Sequence, residues 1–363
     1  MTSKTENSRD ADRSVDPLPF TVAFDPRDED ALLERWRRIL RSSKWSHGEQ
    51  LDEFELSWSA WNGAPAVGFD NWSGAALATL DFYRVTGQTV LCPSNTFLAT
   101  PRSAQLSGAK VVFYDCNRHD LCGSFDDFVC KAEEHRPALA FLVHIGGHIS
   151  FDVRRIASYC RERGIVLVED CAHAVGAEWD GQKPGTFGDV GLFSLYATKT
   201  ISTGEGGVAV TSNSDLLKHL RSYRDYGRGS RNTVKSLNHR MDEFRAAFAS
   251  VQLARLPEIV AWKRAYAREV LDPHHPNRVR LPDGMLSGLY KYIVFDPIED
   301  STGKVYEQPC HRIFGSSQVL PNSDWVPLNH WCVPLYYPRT DGSGLKSPRH
   351  DDPSAYLRNH FIR

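Results

Sequence analysis

The stretch 165-IVLVEDCAHAVGAEWDGQKPGTFGDVGLFSLYATKTISTGEGGVAVTS-212 holds three short β-rich runs, and the first two close on charged residues. IVLVED is apolar at consecutive positions until it ends in Glu169 and Asp170. VGLFSL leads into Lys199, and GVAVTS follows a glycine-rich turn. Strands apolar on successive residues are buried on both faces, as in a parallel sheet covered by helices on both sides. Outward from this stretch the same rhythm recurs in TVLCPS (89–94), KVVFYDC (110–116) and ALAFLVHI (138–145). Between the runs, Gly74 to Val85, Thr96 to Ser107, Phe125 to His135 and Val153 to Arg163 carry apolar residues at helical spacing. The alternation predicts an α/β fold whose mostly parallel central sheet is flanked by helices.

Toward the amino terminus, Glu29 to Leu40 reads as an amphipathic helix with Leu32, Leu33, Trp36 and Leu40 on one face, and the first eighteen residues have a disordered composition. Beyond about residue 235 the rhythm changes. Residues 241–271 form one long helical pattern in which Pro257 predicts a kink or break. The expected organisation is a tail over 1–18, a large domain over 19–240, and a connecting helix with a smaller α+β domain over 241–363.

Composition removes several classes of function. Lysine and arginine number 43 against 45 aspartates and glutamates in 363 residues, so no global field draws in nucleic acid or an anionic membrane. No apolar run reaches membrane-spanning length, and the first residues lack a secretory signal, so a soluble cytoplasmic protein is expected. The eight cysteines show no Cys-x-x-Cys spacing and read as free thiols.

Three features then point to chemistry at the carboxyl ends of the strands, where open α/β sheets bind ligands. Asp170 closes a buried strand, where a carboxylate needs a cationic partner or acts as a helix cap. Lys199 follows an apolar run, where desolvation supplies the free amine a carbonyl requires; the alternative is a solvated loop lysine. The turn 72-WSGAAL-77 opens a helix, whose amides and dipole suit a phosphate. Together they describe a cofactor with an aldehyde, a ring nitrogen and a phosphate, which is pyridoxal phosphate. Two other motifs stay open. HIGGH (144–148) suits a structural or substrate-adjacent role better than a metal, so no metal is expected. RSYRDYGRGSR (221–231) is either a solvated loop or a holder of substrate phosphate.

The 168–212 segment, with PSNTFLATPRSAQLSGAKVVFYD (93–115) and NHRMDEFRAAFASVQLARL (238–256), resembles the DegT/StrS sugar aminotransferases, pyridoxal phosphate enzymes of fold type I. The resemblance implies that Lys199 forms the Schiff base with the cofactor and moves the substrate proton, and that Asp170 pairs with the pyridine nitrogen. It assigns the phosphate to Ser194 and to the backbone at Gly74 and Ala75, ring stacking to Phe97, and the neighbourhood of the ring hydroxyl to His173. Asn238 would reach the cofactor phosphate of a second subunit, which implies a homodimer with shared active sites. Arg228, Arg231 and His311 are expected at the substrate. The family commonly has threonine where Gly74 stands, and Gly-Tyr-Asn where this chain has Ser236-Leu237-Asn238. The implied reaction passes an amino group from glutamate or glutamine to a keto sugar, nucleotide-activated on the leading reading. A keto-cyclitol substrate, a dehydratase of the same family, and a non-catalytic cofactor-binding regulator are the alternatives. Dehydratases of the family carry histidine in place of the lysine kept here.

Overall fold

A computed structural model describes residues 24–230 and 234–338. The tail over 1–18 and Arg231 lie outside the described residues. Two helices, α1 (Glu29–Ser42) and α2 (Glu49–Asn62), precede the first strand. There follow β1 (Ala66–Phe69), α3 (Trp72–Phe82), β2 (Thr89–Pro93), α4 (Ala99–Leu106), β3 (Lys110–Tyr114), α5 (Phe125–His135), β4 (Leu139–Val143), α6 (Val153–Arg163) and β5 (Val166–Asp170). The chain continues through β6 (Glu178–Trp179), β7 (Val190–Ser194), β8 (Gly207–Val210), α7 (Ser214–Tyr223) and the long α8 (Glu243–Tyr266). Short elements complete it: β9 (Met285–Leu286), β10 (Tyr292–Val294), α9 (Cys310–Ile313), α10 (Pro321–Trp325) and β11 (Trp331–Val333).

Seven strands form the central sheet in the order β1-β8-β7-β5-β4-β2-β3. Only β8 runs antiparallel, to both β7 and β1, so the sheet is the mostly parallel one the sequence predicts. Alternate residues feed two cores. Leu91, Ala140, Leu142, Leu167 and Phe193 face one layer, while Val90, Cys92, Leu139, Phe141, Val168 and Leu192 face the other. That period of two explains why each strand reads as an unbroken apolar run.

Three local readings differ from the structure. β1 went unread because its four residues, AVGF, are too short to show a pattern. In α1 the buried positions are Leu32 and Ile39, with Trp36 between them donating its indole N–H to the Phe244 carbonyl at 3.0 Å, whereas Leu33 and Leu40 are exposed. The packed stripe follows the i, i+4, i+7 spacing of one helix face, from which 33 and 40 are each one residue displaced. Pro257 does not break α8, which runs nine residues past it before a π-helical turn at Ala267–Leu271. Burial of Leu253, Leu256, Ile259 and Val260 holds the helix across the missing N–H. α8 packs along α1 and α2. No described helix is long and apolar enough to cross a membrane. All eight cysteines are free, and only Cys130 is exposed.

One buried carboxylate stitches the loop that leads into β7. Glu169 has no exposed surface; its Oε1 accepts the amides of Phe187 and Gly188, both at 2.7 Å, and its Oε2 accepts the Gly185 amide at 2.8 Å. His144 Nε2 lies 2.9 Å from the same Oε2, while His144 Nδ1 accepts the Ser150 amide. The two histidines of the HIGGH motif are therefore engaged within the protein, His148 through the Asp120 carbonyl at 2.9 Å. Replacing Glu169 with alanine leaves three loop amides, two of them buried, without an acceptor, and we expect urea unfolding to show a loss of about 3 to 5 kcal/mol. A loss below about 1 kcal/mol would show that this loop is held by something else.

Candidate active site

Because β5 ends one residue after Glu169, the next side chain, Asp170, turns to the opposite face and enters the rim above the strand ends. It is 4% exposed, accepts the Thr100 hydroxyl at 2.9 Å through Oδ2, and accepts the Ala172 amide at 3.1 Å through Oδ1. Burial pushes its pKa above the usual carboxylate range, while the Ala172 amide, the Thr100 hydroxyl and the charge of Lys199 pull it back. Neither hydrogen bond supplies a cation.

Lys199 sits half-buried in the turn after β7, its backbone N–H bonded to the Tyr196 carbonyl. Its ammonium lies over the ring of Tyr290, 4.7 Å from the centroid. Burial lowers its pKa to about 8; Asp170 opposes that shift and Lys291 reinforces it. The share of free amine near neutral pH is thus far larger than for an ordinary lysine.

His173 stacks on Tyr290, with ring centroids 4.2 Å apart and planes at 29°, and more distantly on Tyr306. Burial holds it far below the ordinary histidine pKa, so the ring is neutral, and its Nδ1 is buried without a hydrogen-bond partner among the described residues. Ser194, at the end of β7, is buried and accepts the Tyr196 amide at 3.2 Å.

At the start of α3, Asn71 caps the helix by accepting the Gly74 amide at 2.8 Å. The Gly74 N–H is therefore committed, and the first-turn amides without an intrahelical acceptor are those of Trp72 and Ser73. A Cβ on Gly74 would lie 2.8 Å from Asp70 Oδ1 and 2.9 Å from His239 Nδ1, which explains why threonine is absent here. Phe97 is exposed on the loop before α4, so its ring face is available.

Other expected residues lie apart. Asn238 is exposed and accepts the Arg240 amide at 3.1 Å. Arg228 is exposed, 3.7 Å from Asp225. His311 departs from expectation. It has no exposed surface; Nδ1 lies 2.6 Å from Ser94 Oγ and Nε2 3.3 Å from Asp324. It occupies a packing position that pins α9 to the end of β2, not one that meets a substrate.

The sequence reading missed Tyr290, and the structure shows how it is placed. Residues 287–291 form a strap tied on both sides. The Gly288 and Lys291 amides donate to the Gly147 and Gly146 carbonyls at 2.7 and 2.8 Å. Lys263 Nζ donates to the Leu289 carbonyl at 3.0 Å and Arg264 Nε to the Ser287 carbonyl at 2.8 Å. Leu289 carries a φ of 49°, a left-handed conformation that side chains rarely adopt. Gly147, at a φ of 110°, lets the strap approach, since a Cβ there would fall on the Tyr290 amide nitrogen. The only signal in sequence was the glycine pair of HIGGH.

The chain matches the model of the DegT/DnrJ/EryC1/StrS aminotransferase family over residues 26–272. It belongs to that family. It is similar to a dTDP-3-amino-3,4,6-trideoxy-alpha-D-glucose transaminase of Micromonospora megalomicea subsp. nigra, with 31% identity over 85% of this chain and 91% of the relative. It also resembles the L-glutamine:2-deoxy-scyllo-inosose aminotransferase of Streptomyces kanamyceticus, at 27% identity over 92% and 84%. Among solved structures, the aminotransferase TlmJ from Streptoalloteichus hindustanus superposes with a TM-score of 0.80 at 26% identity, covering 87% of this chain and 92% of that one. The protein is an aminotransferase with fold type I architecture.

The electrostatics around Lys199 make a two-sided test. Asp170→Asn removes a charge that favours the ammonium and shifts the Lys199 titration midpoint below about 8; Lys291→Gln removes a repelling cation and shifts it upward. The pH dependence of Lys199 acylation in cofactor-free protein, read by peptide mass spectrometry, reports both. Midpoints that do not move in these opposite directions contradict the arrangement.

Proposed function

We propose that this aminotransferase binds pyridoxal phosphate at the β5, β7 and α3 rim and aminates the carbonyl of a keto sugar, with glutamate or glutamine as donor. The observation that carries the reading is the pairing of a pKa-lowered Lys199 with a buried Asp170 that, among the described residues, has no hydrogen-bonded cation. The residues fit the cofactor. Asp170 suits a protonated ring nitrogen, the unpartnered His173 Nδ1 suits a ring substituent, and the α3 terminus with Ser194 suits a phosphate. When bound, the cofactor supplies the electron sink that stabilises negative charge at the substrate carbon.

The chain's own residues account for the remaining steps. Asp170 would hold the ring nitrogen protonated, its carboxylate fixed by the Thr100 hydroxyl and the Ala172 amide. Lys199, with its pKa near 8, is matched to accepting and returning a proton near neutral pH. Tyr290 and Tyr306 cover His173 and exclude water from that side. The exposed Phe97 offers a flat face for the ring.

A keto sugar, nucleotide-activated as in the dTDP-linked relative, is the favoured substrate. A keto-cyclitol is the second reading, supported by likeness to the scyllo-inosose enzyme over 92% of this chain. On this reading the exposed Asn238 reaches the cofactor phosphate of a second subunit in a homodimer, and the exposed Arg228 contacts the substrate. Retention of Lys199 and Asp170 in a tuned environment favours chemistry over a purely regulatory role.

Titrating the purified protein with pyridoxal phosphate should produce a visible absorbance band that glutamate or glutamine bleaches; Lys199→Ala should lack both the band and the bleaching. Absence of the band in the unaltered protein at saturating cofactor would refute the proposal. Assay of keto-sugar nucleotides beside a keto-cyclitol then separates the two substrate readings.

A further inference from the structure

The Lys199 ammonium stands against a ring rather than against an oxygen. Among the described residues its Nζ meets no carboxylate within ion-pair distance and no hydrogen-bond acceptor. Asp170, at the end of β5, acts on it only through space, as a charge that favours the ammonium. What lies against the Nζ is the ring of Tyr290, 4.7 Å away at its centroid. The neighbouring strap residue Lys291 brings a second ammonium to 5.8 Å from the same centroid and repels the first. His173, from the turn after β5, stacks on that ring as well, but burial and the charges of Lys199 and Lys291 keep it neutral. Of the groups around the ring, Lys199 is therefore the closest cation.

A half-buried ammonium that has given up water without gaining an acceptor keeps its charge only if some other field replaces the lost hydration. An aromatic face carries negative charge density at its centre, and its pull on a cation grows as water is withdrawn. The Tyr290 ring meets that need and is held in place at both ends. It is 6% exposed, and its hydroxyl lies 3.3 Å from the hydroxyl of Thr198, the residue before the lysine. Its backbone is flanked by the ties from Gly288 and Lys291 to the Gly147 and Gly146 carbonyls. Ring and lysine are thus referred to each other through Thr198 and through the strap.

We propose that the Tyr290 ring is the seat of the Lys199 ammonium, holding its charge whenever the amine is not bonded to the cofactor and so setting how readily Lys199 takes up and returns a proton. The functional part of this rests on the role assigned to Lys199 above; the contact itself does not. A seat and a simple cover differ in sign. A cover only strips water from the ammonium and disfavours the proton, whereas a seat attracts the cation and favours it. The electron density of the ring, at constant shape, separates the two.

The test compares Tyr290→Phe with a full-length chain carrying a trifluorinated phenylalanine at 290. The two rings have nearly the same shape and burial, but fluorine withdraws negative charge from the ring face. The readout is the pH midpoint of Lys199 acylation in cofactor-free protein, followed by peptide mass spectrometry, so failure to bind pyridoxal phosphate would refute the reading of the reaction without touching this result. The expected outcome is that Tyr290→Phe keeps a midpoint close to that of the unaltered chain, while the fluorinated ring lowers it by at least about 0.4 pH unit. The same fall is expected in a Lys291→Gln background, where the second ammonium is gone. Equal midpoints for the two rings overturn the proposal and leave Tyr290 a cover. A fall that disappears in Lys291→Gln overturns it too, because the effect then runs through Lys291.

Discussion

Two adjacent carboxylates at the end of one buried strand organise this molecule. Because neighbouring side chains on a strand point to opposite faces, Glu169 and Asp170 cannot share a task. Glu169 is spent on structure, accepting three loop amides and the His144 ring, and so fixes how the chain turns into β7. β7 in turn ends at Ser194 and delivers Lys199. Asp170, facing the rim, receives only a hydroxyl and an amide, which leaves its charge available to a ligand. The lysine and the carboxylate are therefore brought to one rim by two hydrogen-bonded neighbours in a single sheet.

A second layer of control comes from the segment after α8. Tyr290 is set above Lys199 by backbone ties to residues 146 and 147 and by two basic side chains of the long helix. The left-handed Leu289 costs energy that these ties offset. The same helix anchors α1 and α2, so the position of one aromatic ring over the reactive amine is referred to the body of the protein.

Much of this was legible in the sequence. Strands buried on both sides leave an unbroken apolar signature, so six of the seven central strands and the helices between them could be read directly. Asp170 and Lys199 could be singled out because each sits at a strand end or just beyond it, where a polar residue interrupts an apolar run, whereas Ser194 and His173 were implied only by the resemblance to the family. What escaped was set by tertiary contact. Tyr290 owes its place to the backbone of Gly146 and Gly147 and to Lys263, all distant in sequence. His311 was expected at the substrate only from the resemblance of its segment to the family, yet Ser94 and Asp324 enclose it. Pro257 looked like a break because propensity counts the lost N–H but not the packing that outweighs it.

The contact between Gly74 and His239 joins two parts of the rim into one. The Asp70 amide donates to the His239 carbonyl at 3.0 Å, and Phe69 bridges to Arg240, so the loop bearing Asn238 is fastened beside the first turn of α3. Any side chain at 74 needs space that the imidazole at 239 now fills. The two positions are therefore not free to vary separately: a lineage that gains threonine at the helix must first shrink or displace the residue beside its asparagine. Changes tolerated at either position depend on the order in which they arise.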